Sequence, residues 1–450
     1  MSTVKISELK DSPSAIKEKM SEEIFIEWHY CIFDIFNQNY SRMTRPTNTK
    51  NIFLDYGGGT PIDPRVLSVV RNVEKKFWHN PSALYLEGVL AKKELEKLRK
   101  EASETLVCLP DEIVFTSSGT ESNNFAIRGV ISASKDKKLS VLFSGIDHPS
   151  TIETIKSIQN IKAVSLPTNE FGFMDISFLK KELLKKPILL SFNYVNGEIG
   201  TIENIKEIMK AVRFYRKTKK TIFPYVHIDA SQAFNVLPIK LNELGVDLMT
   251  LSSDKVYGPK GVSLLFIRRG TKINPIITGG GQEGGMRSGT ENLPAITGFV
   301  EAIKICEKER ALRNKTIVLI QKKFLALLYK GFPKMMLNGP VLGDKRSPNN
   351  INVCIPSIDS EQAVLVMDKL GVKISFSSAC KTLAERSNSY VIGSLNRENC
   401  ATSSLRFSFN HGTKIKDIAT VVKYLKKAVA DSMGKKIKLE DTNKSLRYNS

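Results

Sequence analysis

Four short stretches hold residue types able to do chemistry together. Lys255 sits in LSSDKVYGPKG (251–261), between two β-type runs, VDLMTLSS and VSLLFI. A lysine on a short loop between buried strands is costly unless it is bonded to something. TSSGTES (116–122) falls between a strand and a helix pattern. Its small residues leave the N–H groups of a helix start open to a phosphate, although a plain capping turn reads the same way in isolation. DHPS (147–150) ends a strand and opens a helix with His148, and HIDASQ (227–232) ends a strand with Asp229. A buried carboxylate there wants a cationic partner. An amine for an aldehyde, an acid for a pyridine nitrogen and donors for a phosphate are what pyridoxal 5′-phosphate requires.

These groups must be positioned by an alternating chain. From residue 52 onward, helical patterns such as EGVLAKKELEKLRKEASETL, ESNNFAIRGVISAS and IKEIMKAVRFYRK alternate with strand patterns such as EIVFTSS, SVLFSG, PILLSFNYV, YVHIDA and VDLMTLS. That alternation predicts an α/β fold with a mostly parallel sheet covered by helices, and such sheets bind ligands at the carboxyl ends of their strands. A long helical stretch follows Asn292 to about Tyr329. Short strands (NNINVCIP, VKISFS, SLRFSF) and a closing helix, KDIATVVKYLKKAVADSM, then predict a smaller α+β domain.

The 450 residues, 41% hydrophobic, have an ordinary globular composition. No apolar run reaches the ~20 residues that span a bilayer. Acidic residues near the N-terminus argue against a transit peptide, so a cytoplasmic location is expected, with an organelle matrix left open. The six cysteines show no CxxC pairs, which predicts small buried hydrophobes rather than a disulfide framework or a zinc site. The net charge of +21 falls in helix-like clusters such as KKELLKK and KEIMKAVRFYRKTKK. These fit solvated helix faces or an electrostatic surface for nucleic acid or an acidic partner. No nucleic-acid motif accompanies them.

With the order of these motifs in view, the chain resembles the cysteine desulfurases of the class V aminotransferase family, fold-type I pyridoxal enzymes. The resemblance runs through LDYGGGTPIDPRV, HNPSALYLEG, IVFTSSGTESNNFAIRGV, DHPSTIET, VNGEIGTI, HIDASQAFNVLPIKL, SSDKVYGPKG, GGGQEGGMRSGTEN, SSAC and SLRFSF. It implies a large domain over 51–300 with a seven-stranded type of sheet, its first residues packing with a small domain over 301–434. Residues 1–50 form an extension, with an apolar-aromatic helix at 24–36, and 435–450 a flexible basic tail. It implies Lys255 for the Schiff base and proton shuttling, His148 stacked on the ring and assisting acid–base steps, Asp229 at the ring nitrogen and Gln232 at the ring hydroxyl. Gly119, Thr120 and Ser252 would hold the phosphate, joined by Thr290 from the partner of a homodimer. Arg406 would hold the substrate carboxylate with Asn196 nearby, and Cys380 would be the nucleophile. The implied reaction turns L-cysteine into L-alanine with a persulfide on Cys380, passed to an iron–sulfur scaffold or a tRNA-thiolation enzyme.

The pattern also departs from the family. Asp254 stands where a histidine usually donates to the phosphate, Gly197 where an asparagine contacts the ring and the substrate, Gly284 and His411 where arginines are common, and Tyr85 where a histidine is frequent. A carboxylate beside a phosphate is repulsive, so Asp254 must turn away, take a proton or weaken cofactor binding. These departures leave three readings: a cysteine desulfurase, a related enzyme such as a selenocysteine lyase, or an impaired homologue serving as a binding protein.

Overall fold

In a computed structural model the chain is described over residues 51–136, 138–356, 358–376 and 388–434, the last four by backbone alone. The expected helix at 24–36, the tail and Cys380 lie outside the described residues. Strands and helices alternate in chain order. The strands are β1 (Ile52–Phe53), β2 (Ile113–Thr116), β3 (Leu139–Ser144), β4 (Ile161–Leu166), β5 (Leu189–Asn193), β6 (Tyr225–Asp229), β7 (Leu248–Ser252), β8 (Ser263–Ile267), β9 (Met336–Leu337), β10 (Asn350–Cys354), β11 (Val372–Lys373) and β12 (Ser404–Ser408). The helices are α1 (Pro64–Lys76), α2 (Leu86–Leu106), α3 (Gly119–Ala133), α4 (Pro149–Lys156), α5 (Ile176–Leu183), α6 (Ile205–Lys219), α7 (Leu241–Leu244), α8 (Leu293–Gly331), α9 (Ser360–Lys369), α10 (Tyr390–Gly393) and α11 (Ile415–Gly434).

Seven strands form one sheet in the order β2-β8-β7-β6-β5-β3-β4. Only β8 runs against its neighbours; the other pairings are parallel. Six strands therefore end at the same edge. Apart from the edge strand β4, whose side chains are largely exposed, their buried Val, Ile, Leu and Phe are what a sheet covered on both faces demands. One face packs under Leu95, Val212 and Phe299 of α2, α6 and α8. The other packs under Phe125, Ile127 and Ile155 of α3 and α4. The helices start on local signals: Asp63 caps α1 ahead of Pro64, Ser118 caps α3 and Asp175 caps α5.

A second core gathers Ile52, Leu54, Phe324, Phe407 and Leu425 around a three-stranded sheet, β12-β10-β9. Helix α8 is continuous through residue 300, where the sequence suggested a boundary, and its two halves serve different cores. Nothing in LPAITGFVEAIKICEKERALRNK breaks a helix after its first turn, so one rod joins the two sheets. Two cysteines depart from the reading of isolated small hydrophobes: Cys354 of β10 and Cys400 form a disulfide. Both are buried in a satellite cluster with Ile146 and Ile392, a proximity that their spacing of 46 residues does not announce.

One buried ion pair ties the start of the large sheet to the segment before α8. Arg99 of α2 makes two bonds to Glu283, at 2.7 and 2.8 Å, and Glu283 also accepts from the Phe115 N–H. Removing Glu283 takes two bonds from buried Arg99, which keeps Glu96 and the Ile113 carbonyl, and leaves the Phe115 N–H without its acceptor. Glu283→Ala is expected to lower unfolding stability by about 3 kcal/mol, read as a lower urea midpoint; an unchanged midpoint contradicts this placement.

Candidate active site

The common strand edge and the second sheet enclose a cavity of about 340 Å³. Its lining includes Gly119, Thr120, His148, Asn196, Asp229, Gln232, Ser252, Lys255 and Arg406. The expected single-chain site residues with described side chains thus meet in one place. Thr290 is exposed and is not among the lining residues of its own chain.

Each side chain is held by its element. Asp229 ends β6, and its Oδ2 accepts from Asn123 Nδ2 at 2.9 Å while Oδ1 accepts from the Ser231 N–H. Beneath it, buried His227 bonds Ser191 and Thr250, and burial pushes its pKa down to about 4, so it stays neutral at physiological pH. His148 caps α4, with Nδ1 accepting from the Ser150 N–H. Gln232 Nε2 donates to the Gly57 carbonyl. Asn196 faces the same wall, but its amide ties the turn together: Nδ2 donates to Ile146 O, and Oδ1 accepts from the N–H groups of Glu198 and Ile199. Arg406 of β12 is nearly fully buried; one terminal nitrogen bonds Asp55 at 2.7 Å, the other the Gly197 carbonyl at 3.3 Å. Its Nε finds no partner among the described residues.

Sequence reasoning passed over Asn123, Asp147, Ser150 and Tyr390, all of which line the cavity. Asp147 is fully enclosed, and burial, reinforced by nearby Asp229 and Glu203, holds its carboxyl well above the usual range. The available signal was position: Asp147 and Ser150 flank His148 in the DHPS motif.

The Aminotransferase class-V family model matches residues 52–421. The chain belongs to the class-V aminotransferase family. It is 34% identical to the cysteine desulfurase IscS of Dictyoglomus turgidum over 84% of this chain and 95% of that protein. It is also 34% identical to a mitosomal cysteine desulfurase of Encephalitozoon cuniculi, over 85% of this chain and 88% of the relative. Among solved structures, a NifS-like protein superposes with a TM-score of 0.77 at 27% identity, covering 85% of this chain and all of that one. A NifS-like protein from Rickettsia africae gives 0.73 at 29%, covering 86% of this chain and all of its own.

The donor set fits pyridoxal phosphate. The start of α3 offers N–H groups beside Ser252, and a Cβ on Gly119 would stand 3.5 Å from that of Ser252, so glycine keeps the cradle open. The amine of Lys255 and the carboxylate of Asp229, both lining the cavity, are of the kinds that would partner an aldehyde and a pyridine nitrogen. Gly197 is packed under Gln232, whose side chain lies 3.1–3.2 Å from where a Cβ would be. Gly284 adopts φ +64°, a left-handed turn that an arginine would enter only under strain. His411 packs edge-on to Tyr257, and Tyr85 is exposed.

Asp254 does not turn away. Its Oδ1 accepts from Ser252 Oγ, and its Oδ2 lies 2.9 Å from Lys255 Nζ, which also donates to the Gly58 carbonyl. Asp254 thus occupies the hydroxyl needed for the phosphate and the amine needed for the aldehyde. Two unit charges ~4 Å apart at an effective dielectric near 20 repel by about 4 kcal/mol. A quarter of the Asp254 side chain is exposed, and water screens that figure. Asp254→His is expected to tighten pyridoxal phosphate binding by about tenfold, roughly 1.4 kcal/mol, in absorbance titrations of the stripped enzyme. Equal affinity in the two proteins refutes the competition.

Proposed function

We propose that this chain is a cysteine desulfurase that releases L-alanine from L-cysteine and keeps the sulfur as a persulfide on Cys380. The observation that carries this reading is that Lys255 and Arg406, delivered by two different sheets, line one cavity with Asp229 and His148. The relatives named cysteine desulfurase support the choice of substrate.

Pyridoxal phosphate, when bound, supplies an aldehyde and an electron-withdrawing ring. Asp229 would pair with the ring nitrogen and favour its protonated form, and Asn123 and the Ser231 N–H hold that carboxylate in place. The Lys255 amine would hold that aldehyde and would carry the proton at the substrate Cα. Arg406, oriented by Asp55, clamps the substrate carboxylate through its planar fork. The Cys380 thiolate attacks the substrate sulfur. The Cβ–S bond breaks, its electron pair stays on carbon, and a proton there completes alanine. Cys380 is left as a persulfide, which passes to an acceptor protein of iron–sulfur assembly or tRNA thiolation.

The test is alanine release from L-cysteine with a reductant present. Lys255→Ala is expected to lose at least a thousandfold in turnover. Cys380→Ala is expected to stop alanine release while still exchanging the cysteine Cα proton with D₂O. Parental alanine release by Cys380→Ala sinks the persulfide assignment.

The working unit is a homodimer. Trp78, Leu84, Tyr85 and Leu86 are 75%, 97%, 54% and 66% exposed, an apolar patch of the kind that marks an association surface. A two-fold pairing is the commonest way to cover one, and it would also bring the exposed Thr290 to a neighbour's phosphate cradle. Leu84→Glu is expected to give a monomer in analytical ultracentrifugation, with weakened cofactor retention. A Leu84→Glu dimer with parental affinity removes this patch from the interface.

A further inference from the structure

We propose that Ser150 and Asn123 are positioning residues that lock His148 in the tautomer carrying its proton on Nε2, through a directed hydrogen-bond chain that begins at Asp229. The inference deepens the desulfurase reading and rests on its placement of His148 beside the cofactor ring.

The direction of the chain follows from what each group can do. Asn123 Nδ2 lies 2.9 Å from Asp229 Oδ2 and 2.9 Å from Ser150 Oγ. An amide nitrogen only donates, so the carboxylate and the serine oxygen both accept. Turning the amide over would set its oxygen against the Asp229 carboxylate, so the observed orientation is the one the charge requires. Asn123 Oδ1 is buried without a partner among the described residues, a cost accepted to keep both Nδ2 bonds. With its oxygen accepting from Asn123, Ser150 has its own proton to give. Its Oγ lies 2.8 Å from His148 Nδ1. The Ser150 backbone N–H, 3.2 Å away, addresses the same nitrogen, and a backbone N–H cannot accept. Two donors therefore converge on Nδ1, which must present a lone pair. In the neutral ring the proton resides on Nε2, the nitrogen on the other side of the ring.

The consequence is a division of labour. With Nδ1 engaged by α4 and Nε2 protonated, neutral His148 enters the cavity as a hydrogen-bond donor and has no lone pair to offer there. Removal of the substrate Cα proton then falls to Lys255. The same chain makes the ring orientation of His148 depend on Asp229, so the group at the cofactor nitrogen and the group over the ring are set together. A histidine that merely capped the helix would need only the bond from the Ser150 N–H.

The experiment uses cofactor-loaded enzyme with ¹⁵N-labelled histidine. Long-range ¹H–¹⁵N correlation identifies the His148 signals as those lost in His148→Gln. The parent is expected to show the Nε2–H pattern alone. Ser150→Ala, which keeps the backbone N–H, is expected to give a mixture of tautomers and about a tenfold lower kcat with KM within about twofold. Ser150→Thr, which restores a hydroxyl, is expected to recover both. An Nδ1–H pattern in the parent overturns the proposal, as does a Ser150→Ala spectrum and kcat identical to the parent's. Parental turnover in His148→Gln overturns the role claimed for the ring. The tautomer is read whatever substrate the enzyme turns over, so a failure of the desulfurase reading, seen as no alanine from the parent, remains distinguishable.

Discussion

The site depends on one turn, VNGEIG, where two sheets are joined by hydrogen bonds. The Glu198 carbonyl accepts from Asn350 and Asn352 of β10, and its carboxylate accepts from Ser389. The Gly200 carbonyl accepts from the Ser347 N–H, and Asn196 closes the turn onto Ile146. Gly200 has φ +75°, and a Cβ on it would fall 2.8 Å from Asn350 Oδ1. The turn can therefore approach β10 only because that residue is glycine. Arg406, on the strand paired with β10, also reaches the Gly197 carbonyl. Arg406 is thus tied to the large sheet through backbone as well as side-chain bonds.

Much of this was legible in the chain because the large sheet is parallel. Strand-end polar residues such as Asp229, His148 and Ser252 share an edge once the strands run the same way, and alternation of helix and strand announces that they do. What sequence could not show were contacts set by distance along the chain. Asn123 meets Ser150 across 27 residues and Asp229 across 106, and Asp55 meets Arg406 across 351. Helix and strand periodicity carries no information about such pairs. Asn196 lines the cavity as expected, but its amide is engaged by the local turn, a use that strand periodicity does not announce. Asp254 was legible as a problem but not in its resolution, because its two oxygens reach Ser252 and Lys255 together only when a short 3-10 turn, Ser253–Lys255, brings all three together.

The charge excess has a structural address. KKELLKK closes α5 and runs on past its end at Leu183, and KEIMKAVRFYRKTKK makes up most of α6; the two helices pack side by side under the same sheet face. Lys180, Lys181, Lys206, Lys210, Arg213 and Lys217 are exposed there, while Leu179, Ile208 and Val212 turn inward. Amphipathic helices of this kind need polar outer faces for solubility whatever they bind, so the pattern satisfies the requirement of solvated surfaces without invoking a ligand.

Asp254 and Gly197 act on the same balance from opposite sides of the cavity. Gly197 supplies no side chain to the ring, and its place is filled by the side chain of Gln232, held by the Gly57 carbonyl. Asp254 takes up the serine and the lysine that the cofactor needs. Asp254 withdraws groups from the cofactor side, the change at Gly197 withdraws an amide from ring and substrate alike, and Arg406 keeps its bond to Asp55. Compensation must come from groups that act on the phosphate without touching Asp254. The N–H groups at the start of α3 meet that condition, since their geometry is set by the Ser118 cap and by Glu121, which is itself fixed by Arg287. The helix terminus is thus the part of the cradle that the unusual acid leaves unchanged.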